Sequence, residues 1–154
     1  MTQKTAIELT IEPQQTTLYF AGQQLNVPIG NQTIIGNPLK QLPASPRETE
    51  TAIMQIEDQI MPLYAKLPPA GQLHTHNPQI QLMAQLLGLE TKPSCEITLK
   101  QVEDLFNRLA DIIHGRPASL DKLPITSEFT LTLLILREML NHWRMTSVIV
   151  EMPA

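Results

Sequence analysis

Residues 127–145, SEFTLTLLILREMLNHWRM, form the longest strongly apolar segment of the chain, and any fold must find cover for them. Wound as a helix, the segment puts Phe129, Leu133, Leu136, Leu140 and Trp143 on one face, while Leu131, Leu134, Ile135 and Met139 fill most of the remainder. A helix apolar nearly all round is buried on most sides. The run Thr130 to Leu133 alternates as a strand would, but the length, the Ser127/Glu128 start and the helix-favouring Arg137-Glu138-Met139-Leu140 decide for a central helix over 127–144.

What surrounds it reads differently in the two halves of the chain. Ile7, Leu9 and Ile11 alternate with Glu8, Thr10 and Glu12, the pattern of a half-buried strand. Thr16 to Ala21 and Gln24 to Ile29 continue it across short turns, with Pro28 marking an edge or a bulge. Gly30-Asn31 reads as a hairpin turn into a short strand at Thr33-Ile34-Ile35.

From Ser45 the signals become helical. Ser45-Pro46-Arg47-Glu48 is a capping box with proline at the first helical position, and Pro62 stops or kinks the helix near Met61. Asn77-Pro78 opens a second helix that ends at Gly88. Thr98 to Gln101 caps a third that runs to Gly115. Val148 to Val150 reads as a last strand returning to the N-terminal sheet. The expected fold is therefore α+β and two-layered: an antiparallel β-meander of about four N-terminal strands plus the C-terminal strand, packed on about four helices. One domain spans 1–154, with the meander in 1–36, the helical part in 45–144 and the closing strand in 146–152. A chain of 154 residues is of single-domain size.

Charge and composition narrow the function classes. A net charge of -4 gives no basic field for nucleic acid, and aromatics are not interleaved with basic residues. The single cysteine, Cys95, excludes an intrachain disulfide framework and fits a reducing compartment. No stretch approaches the ~18 apolar residues of a membrane span, and the N-terminus lacks a signal-peptide core. The expectation is a cytoplasmic protein with no nucleic-acid or membrane partner. No Gly-rich phosphate loop is present.

Four groups of residues invite a chemical reading. His74 and His76 are two apart, so in an extended segment they project to one side and can share a divalent metal, although no third ligand lies near them in sequence. Glu138 and His142 are four apart on the central helix, and Asp111 and His114 three apart on another. Carboxylate and histidine at such spacings build metal sites between facing helices, with Glu57 and Asp58 as the spare carboxylates, although a surface ion pair uses the same spacing. Arg108, Arg137 and Arg144 gather in the C-terminal half and suit a bound anion. Cys95, beside Glu96, reads as a packed, inert thiol.

No residue is assigned a catalytic role, and no cofactor beyond that divalent metal. Every recognisable feature is explained by folding, which points to a small binding or adaptor protein acting through protein–protein contacts with a partner or itself, a homo-oligomer with Leu131 and Leu134 at the interface. The alternatives are a metal-dependent hydrolytic or redox enzyme using the His74/His76 loop, and an anion or small-metabolite sensor using the arginines.

Overall fold

The structure, a computed structural model, describes residues 5–153. Residues 1–4 and 154, with which the single-domain assignment and the signal-peptide reading begin or end, lie outside the described residues. Alternation forms the strands at the start of the chain: β1 (Ile7–Ile11), β2 (Thr16–Phe20) and β3 (Gln23–Val27) make an antiparallel meander. The helix α1 (Pro46–Ile60) follows, capped by the Ser45 hydroxyl, which accepts from the Glu48 amide at 3.1 Å. Its capping box is half made, because the Glu48 carboxylate turns away to accept from the Lys40 amide. A short 3-10 turn over Met61–Lys66 carries Pro62.

The chain then makes a strand where the sequence suggests a polar loop, β4 (Gln72–Thr75), and passes into α2 (Pro78–Leu86). A second unforeseen strand, β5 (Ser94–Thr98), leads into α3 (Leu99–Ile113), whose Thr98/Gln101 capping box is complete. The apolar segment forms α4 (Ser127–His142), capped by Thr126, one residue earlier than its sequence start signal. The chain closes on β6 (Ser147–Glu151).

The expected two-layer antiparallel meander is wrong in its sheet. Six strands lie in the order β3-β2-β1-β4-β6-β5. β4 is parallel to β1 on one side and to β6 on the other, and β5 is antiparallel to β6. The sheet is mixed, and β6 reaches the meander only through β4. Thr33 to Ile35 makes no strand, only isolated bridges from Ile34 to Ile29 and Asn37. Parallel neighbours need crossovers of a dozen residues or more, and here α1 supplies one while α2, α3 and α4 lie in the other.

Position along each strand decides which face is covered. Ile7, Leu73, Val148 and Ile97 stand in register and are fully buried. One residue on, Gln24, Tyr19, Glu8, His74, Ile149 and Glu96 form a rung across all six strands and are half-buried or exposed. The apolar side packs with α4, which is buried from Phe129 to Leu136 and touches α1, α2 and α3. Trp143, at the end of α4, donates its indole N–H to the Ile60 carbonyl at 2.9 Å, tying the ends of α4 and α1 together.

Candidate functional site

In an open sheet with parallel strands, ligands bind outside the carboxyl ends of the strands where the chain departs in opposite directions. That point here is between β1 and β4. From β1 the chain turns to β2 on one side, and from β4 it leads by way of three helices to β6 on the other. The crevice at this end is bordered by Thr10, Ile11, His76, Asn77 and Pro78. Beside it the β1–β2 turn, Glu12 to Gln15, lines a wider hollow with Asn26, Val27 and Pro28.

Local bonding makes this rim stiff. The Thr75 hydroxyl donates to the Leu9 carbonyl at 2.9 Å and accepts from the Asn77 amide at 3.1 Å. Asn77 then works in two directions. Its Oδ1 accepts from the Gln79 and Ile80 amides at the start of α2, and its Nδ2 donates to the Ile11 carbonyl at 3.4 Å. Gln81 donates to the carbonyls of His76 and Glu151, joining the ends of β4 and β6. Segment 30–33 clasps the β1–β2 turn, with the amides of Asn31, Gln32 and Thr33 donating to the Glu12 and Pro13 carbonyls. A consequence follows for anions: Pro78 has no N–H and the next two amides of α2 are taken by Asn77, so this helix start offers no free donors.

The titratable group bordering the crevice is His76, which meets one carboxylate, Glu8, on the open face of the sheet. Glu8 lies opposite His74 in the β1–β4 register, and its Oε1 is 3.4 Å from His76 Nε2. His74 and His76 therefore border one carboxylate on the open face, as their two-residue spacing suggests, but on a strand and its end instead of in a loop. Among the described residues the His/Cys/Asp/Glu group whose donor atoms converge closely enough for one metal ion is elsewhere: Glu57, Glu138 and His142. A carboxylate holding an imidazole is the arrangement that orients a general base.

The other sequence candidates do not converge on one site. Arg108 makes a two-pronged ion pair with Asp121, at 2.6 and 3.2 Å, which holds the Asp121 carboxyl well below its usual range, at about 2. Arg137 bonds Glu103 and Glu138 and lies 3.9 Å above the Phe106 ring. Arg144 lies 5.9 Å from the Tyr64 ring. Each thus has its own carboxylate or aromatic neighbour, and no shared anion pocket forms. Leu131 and Leu134, expected at a partner surface, are 0% exposed because α4 has helices and sheet around it. Asp111 and His114 are exposed at the end of α3. Burial pushes the half-buried Cys95 thiol up, in keeping with an inert role.

A meander extended from its first strand by β4 and then β6, both parallel to it, with α4 buried among α1, α2 and α3, defines a fold shared with larger enzymes. The chain superposes on the Aquifex aeolicus Ppx/GppA phosphatase, type II variant, with a TM-score of 0.76 over 97% of its length at 14% identity. Another Aquifex aeolicus Ppx/GppA structure gives 0.74 over 97% at 15% identity. An exopolyphosphatase from Cytophaga hutchinsonii gives 0.73 over 99% at 12%. The chain spans about half the length of these neighbours, 53% to 54%. At such identities the likeness is one of fold. The sequence matches no protein-family model and no curated protein. The adaptor expectation is overturned by these neighbours, which are enzymes, and the burial of Leu131 and Leu134 removes the surface on which it placed an interface. Among the described residues no helix is long and apolar enough to cross a membrane.

Proposed function

We propose that this chain is a phosphatase-type lobe acting on phosphate esters or anhydrides, with the reacting group lying at the carboxyl end of β1 and β4. The observation that carries the reading is the agreement of nearly the whole chain with about half of a phosphatase and an exopolyphosphatase. The crevice where ligands bind in such sheets has the groups that hydrolysis needs. His76, held by Glu8, is the base that takes a proton from the attacking water. Glu8, beside His76, and Glu12, in the adjoining hollow, supply carboxylates suited to a phosphate chain presented as its magnesium complex, since that ion is commonly held between one or two carboxylates and the substrate's phosphates. His76 is 69% exposed at its side chain.

The test is orthophosphate release from polyphosphate and magnesium by the purified protein. The reading expects release, falling about 100-fold or more in His76→Ala and Glu8→Gln, in the range of general-base losses. Release no faster than from a blank, together with no rise in melting temperature on adding magnesium polyphosphate, overturns it.

A further inference from the structure

A separate cluster lies where α1 meets α4. His142 Nε2 is 2.7 Å from Glu57 Oε2 and 3.4 Å from Glu138 Oε1. The donor atoms of all three residues lie within 4.8 Å of one another. We infer that Glu57, Glu138 and His142 form a binding site for one divalent first-row transition ion, with zinc as its representative.

Three observations support this. The first is spacing: donors placed tetrahedrally about an ion at ~2.0–2.1 Å are about 3.4 Å apart, the His142–Glu138 separation already matches this, and the 2.7 Å Glu57–His142 separation opens by movement of the partly exposed Glu57 side chain. The second is the direction of Glu138. This residue is 3% exposed, its Oε2 is held by Arg137 at 2.8 Å, and its Oε1 is left aimed into the cluster. A buried carboxylate needs a compensating charge, and Arg137 gives only part of one because it also bonds Glu103. With neutral imidazole, three carboxylates against one guanidinium leave two negative charges, matching a dication.

The third is access. His142 and Glu57 are each about one-third exposed on their side chains, so a bound ion keeps an open position toward solvent. A single ring N–H on His142 cannot donate well to both carboxylates, whereas an ion on that side meets both. The Arg137–Glu138 bond, itself braced by Asn141 donating to Glu103, is the kind of outer contact that orients a metal ligand. An imidazole with only three donors favours zinc, cobalt or iron over calcium or magnesium, which take more oxygens.

This site stands apart from the phosphatase reading and is tested without an activity assay. Metal-free protein is titrated with cobalt(II), followed by its visible absorption, and with zinc, followed by melting temperature. The expected result is one equivalent per chain and a raised melting temperature, with affinity about tenfold or more weaker in both Glu57→Gln and His142→Gln. The His74→Ala/His76→Ala double variant is the control and binds as the wild type does. Both residues at α1 and α4 are partly exposed, so the substitutions leave the fold intact, which far-UV circular dichroism checks. No uptake by the wild type, unchanged uptake in either Gln variant, or loss of uptake in the His74/His76 variant overturns the site.

Discussion

At Gly30 the requirement is space. A Cβ there would lie 2.3 Å from the Pro13 carbonyl oxygen and 2.5 Å from that of Glu12, both backbone atoms of the β1–β2 turn. The sequence presents Gly30 as part of a hairpin turn, yet its role is to let segment 30–33 clasp the β1–β2 turn. Gly30→Ala should cost about 1–3 kcal/mol, the usual penalty of overpacking, read as a lower midpoint in chemical denaturation. Asn77→Ala removes both the α2 cap and the bond to Ile11 and should cost about 1–2 kcal/mol, with the loss concentrated in faster amide exchange at the start of α2 and the end of β1. Asp121 makes the clearest pH prediction. Its folded-state carboxyl titrates at about 2, below the usual 3.8, so its stabilisation is complete above about pH 4 and is lost as pH falls through 2. Asp121→Asn should flatten the stability–pH curve in that window, and an unchanged curve would mean the Arg108 pair contributes nothing.

Among the elements, α4 discriminates most sharply between the sequence reading and the structure. If Leu134 served a partner, Leu134→Ala would change association and leave stability alone. Buried as it is, the substitution should cost about 2–5 kcal/mol of folding stability. The helices were legible because capping chemistry is local: Asn77-Pro78 and the reciprocal Thr98/Gln101 pair each mark a start from a few residues. The sheet was less so. Gln72-Leu73-His74-Thr75 has a single aliphatic residue and looks like a polar loop, although it is the strand on which the sheet turns. Alternation shows that a strand has a buried side but not which strand lies next to it, or in which direction it runs. The antiparallel pairing of β1 to β3 was readable from short turns, while the parallel pairing of β1, β4 and β6 depends on crossovers the sequence does not display.

For the whole molecule, function followed that missing pairing. His74 and His76 stood out in the sequence, yet Glu8 joins them only because β1 lies parallel to β4. Glu138 and His142 were paired by helical spacing, and Glu57 was available as a spare carboxylate, but their meeting required α1 to pack on α4. Arg108, Arg137 and Arg144 form a set in the sequence, but each has its own close neighbour in the structure, which charge counting does not reveal. What remains to test is whether the β1–β4 end is the part of the sheet that meets substrate. The direct measurement is amide chemical-shift mapping of the protein titrated with magnesium tripolyphosphate. Saturable shifts confined to Thr10–Gln15, Thr75–Gln81 and Glu151 are expected, and their loss in Glu8→Gln would tie them to the His76 pair. Shifts elsewhere, or none at all, would contradict a phosphatase-type site at this end of the fold.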